Sequence, residues 1–270
     1  MILLLAIAIT LSVLVIARGM WENSALEVNT YQIDHVDIPE SFVGFKIAQI
    51  SDFHDAEIGK DNEKLISMLR DTEPDIIVIT GDFVDSRRTD IEHSLGFAKE
   101  LVKIAPCYYV TGNHEGRIAK YNDLREGLIN TGVKVLENES VELEQNGEKI
   151  TLVGVSDDNF GCDDTVVIEA GEIEGRFTIL LAHRPAKFSV AVENEIDLVL
   201  SGHHHGGQFR LPFVGGFFAP NQGFFPEYDG GLYSERESIM IVSRGIGNSL
   251  FPFRLNNRPE IVLIELKNEK

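Results

Sequence analysis

The chain has 270 residues, of which 43% are hydrophobic and 25% charged, as in an ordinary globular protein with a sizeable core. Its formal net charge is −19 and it has no lysine- or arginine-rich run, so nucleic acid is excluded as the expected partner because an acidic surface repels phosphates. Nothing in the spacing of Cys107 and Cys162 demands a disulfide, so the cysteines leave the compartment open.

The chain begins with an uncharged, apolar segment over residues 1–17. At a rise of about 1.5 Å per residue, this segment just reaches the lower limit for crossing about 30 Å of hydrocarbon. Arg18 and Trp21 follow it and suit a membrane interface. A signal peptide would have a basic start and a small-residue cleavage site, which are missing or weak here. Residues 1–21 are therefore predicted to be an uncleaved, single-pass transmembrane anchor.

The charges around this segment indicate its orientation. No lysine or arginine precedes it and Arg18 follows it, so the positive-inside rule predicts that the rest of the chain lies on the cytoplasmic face of the cell membrane. Residues 22–44 are predicted to be a linker and a first edge strand, and residues 45–270 a single domain.

Beyond residue 45, apolar runs alternate with amphipathic segments, a pattern typical of sheets with parallel strands and flanking helices. Strands are predicted at 45–51, 75–81 and 107–112, and helices at 62–70, 91–104 and 121–130. A hairpin within 141–155 is predicted to turn at Asn146-Gly147, the strongest short hairpin signal. Further strands at 177–183, 196–202, 238–245 and 260–266 predict a second, more mixed sheet. Two sheets covered by helices form a layered α/β sandwich.

Polar residues follow the apolar strands. They are Asp52, His54, Asp55, Asp82, Asp85, Asn113, His114, Glu115, His183, His203, His204 and His205. Because ligand sites in open α/β sheets lie at the carboxyl ends of strands, these side chains are expected at one rim. Mixed nitrogen and oxygen ligands suit Mn²⁺, Fe or Zn²⁺ better than Mg²⁺ or Ca²⁺. They are too many for one ion, whereas two ions roughly 3.5–4 Å apart form a clamp for phosphate-ester hydrolysis.

The ordered blocks DFH, GDFVD, GNHE, AHR and GHHHGGQ resemble the calcineurin-like metallophosphoesterases, whose pattern is D-x-H, G-D-x-x, G-N-H-[DE], a lone His and G-H-x-H. The resemblance covers most of residues 45–266. The GHHHGGQ block, the phenylalanines after it and the apolar N-terminus resemble the membrane-anchored bacterial branch in particular. This resemblance implies a four-layer αββα sandwich of two mixed sheets, with residues 45–270 as the catalytic domain.

The resemblance also implies a site with two divalent metal ions, with Mn favoured over Fe and Zn. One ion would be bound by Asp52, His54 and His205, the other by Asn113, His183 and His203, and Asp82 would bridge them. A hydroxide held between the ions would attack phosphorus in line. Taken singly, each residue has a commoner structural use, such as a turn-shaping aspartate or a hydrogen-bonded core histidine; the joint pattern carries the prediction.

His114 is implied to protonate the leaving oxygen or to steady the phosphoryl charge. Glu115 could hold its imidazole, although many relatives have aspartate there. Asp85 and His204 are expected near the ligands but not among them. Arg184 is expected to form a surface ion pair rather than to meet a substrate phosphate. His35 and His93, outside the motifs, are expected to be ordinary surface residues.

The segment 206–233 holds six of the sixteen phenylalanines, and its spacing fits neither helix nor strand. It is either a folded loop that buries its aromatics or an exposed apolar surface for a lipid tail or the bilayer. The expected substrate is a phosphodiester or pyrophosphate of a lipid or lipid precursor, and no protein partner is expected. A non-catalytic membrane-tethered scaffold and a nuclease or protein phosphatase of the same family stay open as alternatives.

Overall fold

Two six-stranded sheets pack face to face, with helices on their outer faces. The computed structural model describes residues 1–171, 173, 175–219, 223–248 and 252–268. The helices in this part are α1 (Ile2–Glu22), α2 (Glu63–Asp71), α3 (Ile91–Leu101), α4 (Tyr121–Thr131), α5 (Thr165–Gly171) and α6 (Phe188–Glu193). The strands are β1 (Glu27–Asp34), β2 (Lys46–Ile50), β3 (Ile76–Thr80), β4 (Cys107–Val110), β5 (Lys134–Val135), β6 (Glu139–Gln145), β7 (Glu148–Gly154), β8 (Thr178–Leu181), β9 (Leu198–Ser201), β10 (Arg210–Leu211), β11 (Gly215–Gly216), β12 (Phe218–Ala219), β13 (Gly223–Phe224), β14 (Gly231–Glu235), β15 (Ser238–Val242) and β16 (Glu260–Lys267).

Both sheets combine parallel and antiparallel pairs. The first has the order β1-β16-β2-β3-β4-β5, and only the β16–β2 pair is antiparallel. The second has the order β14-β15-β9-β8-β7-β6, with antiparallel pairs at its two edges. Every residue of β3, β8 and β9 is buried, as expected for central parallel strands covered on both faces.

The apolar side chains of the central strands divide between three layers of core. Ile47 and Val78 point between the sheets, whereas their neighbours Ala48 and Ile77 pack against α2, α3 and α4, because successive strand residues face opposite sides. The outer face of the second sheet packs against α5 and α6 through residues such as Phe188. The predicted four-layer αββα sandwich is therefore confirmed.

The local signals for turns and helix ends also match the structure. β6 and β7 form the predicted hairpin, with Asn146 and Gly147 both at positive φ. Asp90 caps α3 by accepting the His93 backbone N–H at 3.0 Å. Cys107 and Cys162 are free.

Helix α1 is long and apolar enough to cross a membrane, since its 21 residues extend about 31 Å. Within it, only Gly19 and Glu22 are buried, and these lie at its C-terminal end where it meets the domain. The rest of its apolar surface is exposed. The segment predicted as a linker and edge strand contains β1, which lies at the edge of the first sheet, parallel to β16.

Candidate metal centre

The residues predicted at the strand ends lie together at one rim of the two sheets, although five separate loops contribute them. Asp52 and His54 follow β2, Asp82 follows β3, Asn113 and His114 follow β4, His183 follows β8, and His203 and His205 follow β9. Each of these residues is buried and exposes at most 5% of its surface. The first sheet thus supplies oxygen and nitrogen donors, and the second sheet supplies imidazoles.

Five of these residues adopt a backbone conformation that residues other than glycine rarely adopt. Positive φ angles, between 48° and 74°, occur at Asp52, His54, Asp82, His203 and His205. The left-handed region costs free energy for such residues, and it persists where the surrounding structure enforces it, most often at functional sites. The sharp turns aim the side chains at one another instead of letting the strands continue.

The first group of donors consists of Asp52, His54 and His205. The Nε2 atoms of the two histidines lie 3.2 Å apart, and Asp52 Oδ1 is 3.4 Å from Nε2 of His205. Burial lowers the pKa of His54 to about 3 and holds the pKa of His205 well below its usual value, so both rings are neutral. Two neutral imidazole nitrogens facing each other beside a carboxylate fit a shared cation.

The second group consists of Asn113, His183 and His203. Nε2 of His183 is 3.2 Å from Oδ1 of Asn113 and 3.1 Å from Nδ1 of His203. Nδ1 of His183 donates to the Thr80 carbonyl at 2.8 Å, which directs Nε2 into the cluster. These three donors also fit a cation.

Asp82 lies between the two groups. Its Oδ2 is 3.3 Å from Nε2 of His183 and 3.7 Å from Nε2 of His54. Burial alone would raise the pKa of Asp82, but His183 and His54 hold it well below its usual range. In return, and against the effect of burial, Asp82 raises the pKa of His183 to about 10, so a cation that binds His183 would displace a proton.

His114 sits beside both groups without completing either of the trios above. Its backbone N–H donates to Oδ1 of Asp82 at 2.7 Å, and its ring lies edge-on to that of His54, 4.4 Å between centroids. Nδ1 of His114 accepts the Ser86 backbone N–H at 3.0 Å. Asp85 is close, with Oδ1 3.6 Å from the same Nδ1. Burial lowers the pKa of His114 although Asp82 and Asp85 oppose the shift.

Glu115 has a different role from the expected one. Instead of holding His114, its buried carboxylate accepts four backbone N–H groups, from Asp82, Phe83, Val84 and Gly112, at distances of 2.6–3.2 Å. Burial and the charge of Asp82 raise the pKa of Glu115 to about 7, against the effect of these N–H groups. Glu115 therefore ties the loop after β3 to the loop after β4.

The other expected neighbours take varied positions. His204 is buried, its ring centroid is 5.2 Å from that of His203, and its Nδ1 contacts the Tyr228 carbonyl. Arg184 forms a bidentate ion pair with Asp157 at 2.5 and 3.1 Å, but the pair is not on the surface as expected, because the Asp157 side chain is fully buried. His35 and His93 were expected to be ordinary surface residues, but both are partly buried.

Each of these two histidines has a specific contact. Nε2 of His35 is 3.4 Å from Oδ1 of Asp197, and the ring of His93 stacks on Phe53 with centroids 5.9 Å apart. The expectation of ordinary surface residues was wrong because His35 directly follows the edge strand β1 and His93 lies in helix α3, and both elements pack against the domain.

Several residues that support the site carry no sequence signal. Nδ2 of Asn257 donates to the His205 carbonyl at 2.7 Å and to the Gln208 carbonyl at 3.1 Å. The fully buried Arg254 donates to the Arg244 carbonyl at 2.8 Å and to the Gly247 carbonyl. Neither residue belongs to a motif, and only their position in the fold relates them to the metal loops.

Comparison with known proteins agrees with this geometry. The profile of the calcineurin-like phosphoesterases matches residues 45–207. The chain is 32% identical over 256 residues to metallophosphoesterase YkuE of Bacillus subtilis, covering 92% of this chain and 87% of that protein. It is also 32% identical over 233 residues to phosphodiesterase YaeI of Escherichia coli, covering 82% of each chain. A Danio rerio transmembrane protein with metallophosphoesterase domain is 32% identical over 250 residues, which are 85% of this chain and 55% of that one. The chain therefore belongs to the calcineurin-like phosphoesterase family, whose members are phosphoester hydrolases that use divalent metal ions.

Proposed function

We propose that this phosphoester hydrolase cleaves a phosphodiester or pyrophosphate bond of a lipid or lipid precursor, using two divalent cations, Mn²⁺ by preference. The observation that carries the two-cation site is the position of Asp82 between two groups of buried donors. Asp52, His54 and His205 would hold one ion, Asn113, His183 and His203 the other, and Asp82 would contact both. When bound, such ions supply a nucleophile from water at neutral pH and neutralise charge on the phosphoryl oxygens.

His114 acts as a hydrogen-bond donor in this proposal and not as a proton donor. Its Nδ1 accepts the Ser86 N–H, so Nδ1 carries no proton and the proton of the neutral ring is on Nε2. A neutral imidazole is a very weak acid, but its Nε2–H can stabilise negative charge on a phosphoryl oxygen. The family resemblance implies that His114 either protonates the leaving oxygen or steadies the phosphoryl charge, and the hydrogen bond from Ser86 favours the role in steadying the phosphoryl charge.

The role of His114 can be tested with substitutions that separate the two chemistries. His114→Gln keeps an N–H donor without an acid, whereas His114→Ala removes both. We expect His114→Ala to lower turnover about 100-fold. His114→Gln should turn over measurably faster than His114→Ala, though more slowly than the wild type. The loss should be similar for p-nitrophenyl and alkyl diesters, because no proton is given to the leaving group. A loss confined to the poor alkyl leaving group, with Gln no better than Ala, would show that His114 is the acid.

The lipid part of the proposal is supported by the apolar helix α1, and the diester part by the name phosphodiesterase given to the Escherichia coli relative. The full chain in phosphatidylcholine vesicles, supplied with Mn²⁺, should be screened against monoesters, diesters and pyrophosphates in soluble and lipid-linked forms. We expect the highest kcat/KM for a lipid-linked diester or pyrophosphate. A preference for the soluble forms would refute the lipid substrate while leaving the two-cation site intact.

We also propose that the domain lies on the cytoplasmic face, because Arg18 follows the apolar residues 1–17 and no lysine or arginine precedes them. Externally added protease should then leave the domain intact in whole cells and degrade it after permeabilisation. Degradation in whole cells would place the domain outside.

A further inference from the structure

Two short hairpins after the last metal-site histidine carry apolar side chains that the fold leaves in solvent. The first joins β10 to β11, and the second contains β12 and β13. We call their exposed residues the aromatic surface: Leu211, Phe213, Val214, Phe224 and Phe225, which are exposed by 42%, 108%, 61%, 65% and 58%. Five large apolar side chains exposed within residues 211–225 are uncommon on a soluble domain and mark a place of interaction.

Phe213 shows that packing within the chain does not account for this surface. It is fully exposed, and its φ of 68° lies in the left-handed region that disfavours a bulky side chain. A hairpin tip that served only as a turn would be better formed by glycine or asparagine. The unfavourable backbone and the solvated ring are both explained if Phe213 is buried in something outside the chain.

The aromatic surface is joined to the base of helix α1 by a row of contacts. Gly19 of α1 packs so closely on Phe253 that a Cβ added to Gly19 would lie 2.6 Å from that ring. The Phe253 ring is 5.4 Å from that of Phe209. From Phe209 the row continues across the backbone, because its carbonyl accepts the Phe217 N–H at 2.7 Å, and the Phe217 carbonyl accepts the Phe225 N–H at 3.0 Å.

The opposite side of the same hairpins packs on the metal-site loop. Gly207 lies against Gly216 of β11, so that a Cβ added to Gly207 would be 2.4 Å from the Gly216 Cα. His205, a predicted ligand, is two residues before Gly207. The hairpins that carry the aromatic surface therefore also contact the loop of the proposed metal centre.

We propose that the aromatic surface inserts into the headgroup–acyl boundary of the same bilayer that α1 enters. A bilayer is the occupant that the structure favours, because the row of contacts through Phe253 and Phe209 joins the aromatic surface to the base of the apolar helix. Insertion would hold the metal centre at the membrane surface, within reach of phosphoesters at that depth. The proposal concerns the position of the protein at the membrane, and it holds whichever phosphoester is cleaved.

Tryptophan fluorescence tests the proposal without any need for turnover. Trp21 is the only tryptophan, so a Trp21→Phe background accepts single reporters in the full chain. Phe213→Trp and Phe224→Trp place reporters on the aromatic surface. Ile129→Trp on α4, where Ile129 is 46% exposed, is the matched control on a surface outside the hairpins.

Each variant is reconstituted in vesicles of phosphatidylcholine or of phosphatidylcholine brominated in the acyl chains near the headgroup. We expect the brominated lipid to remove more than about half of the fluorescence at positions 213 and 224 and almost none at position 129. Equal, weak quenching at all three positions would overturn the proposal. Protection of positions 213 and 224 from aqueous iodide without quenching by brominated lipid would also overturn it, since a protein would then cover the surface.

Discussion

Replacing Glu115 by alanine tests whether one carboxylate holds two metal-site loops together. Its four backbone hydrogen bonds join the loop after β3 to the loop after β4, in a region where the side chain is completely buried. Each buried N–H left without an acceptor costs about 1–3 kcal/mol. Four of them give a loss of at least about 4 kcal/mol, a large part of the stability of a typical domain.

The loss should appear as a lower melting temperature in detergent solution at pH 8. About 4 kcal/mol corresponds to a decrease of roughly 8 °C or more for a domain of this size. The melting temperature of Glu115→Gln should lie between those of Glu115→Ala and the wild type. The remaining oxygen still accepts two N–H groups, whereas the new NH₂ group faces the other two and cannot accept from them. Glu126→Ala, on the exposed face of α4, should shift the unfolding free energy by less than about 0.5 kcal/mol.

Metal binding should weaken together with the stability of the fold. Because Asp82 and Gly112 lose an acceptor in Glu115→Ala, the Asp82 side chain should move and Mn²⁺ binding should weaken. A Glu115→Ala protein that melts within about 2 °C of the wild type and binds Mn²⁺ normally would show that water or loop relaxation satisfies the four N–H groups. The assignment of Glu115 as the tie between the loops would then be refuted.

Two further predictions concern a glycine and a distant carboxylate. Gly81→Ala would place a Cβ 2.7 Å from Nδ1 of His183, so it should abolish Mn²⁺ binding in calorimetry. Gly44→Ala, also at positive φ but with nothing within 4 Å of the added Cβ, should cost only about 1–2 kcal/mol of stability. Equal effects of the two substitutions on Mn²⁺ binding would contradict the steric explanation. Burial raises the pKa of Asp197 to about 6 from 3.8, so the folded protein loses up to roughly 3 kcal/mol of stability as the pH rises from about 4 through 6. Asp197→Asn keeps an acceptor for the Thr178 N–H, and it should have a higher melting temperature than the wild type at pH 8 but not at pH 4. A difference in melting temperature that does not change with pH would contradict this prediction.

The strand ends were predictable because short-range patterns encode them. An apolar run such as residues 75–81 must be a buried strand, and the polar residues directly after it must emerge at its carboxyl end. The Asn146-Gly147 turn is likewise local, since both residues tolerate the positive φ that the hairpin requires. The convergence of five loops followed from the order of the blocks and their resemblance to a known family.

The contacts of Glu115 and Ser86 could not be predicted in the same way. Three of the four N–H groups that Glu115 binds are more than thirty residues away, and the tautomer of His114 depends on a backbone N–H of Ser86. A backbone donor has no sequence signature, because every residue except proline has one. Such interactions are fixed by the approach of β3 to β4, which only the folded chain defines.

The base of helix α1 and the loop that carries His205 share one C-terminal segment, and this segment connects α1 to the proposed metal centre. Asn23, directly after α1, accepts the backbone N–H of Arg254 at 3.0 Å, and Glu22 accepts that of Asn257 at 3.3 Å. Asn257 in turn donates to the carbonyl of His205. Because Glu22 and Asn23 hold the segment that supports a predicted metal ligand, the base of helix α1 is structurally part of the site. A domain cut after residue 21 would keep these contacts, whereas a domain cut after residue 23 would lose both.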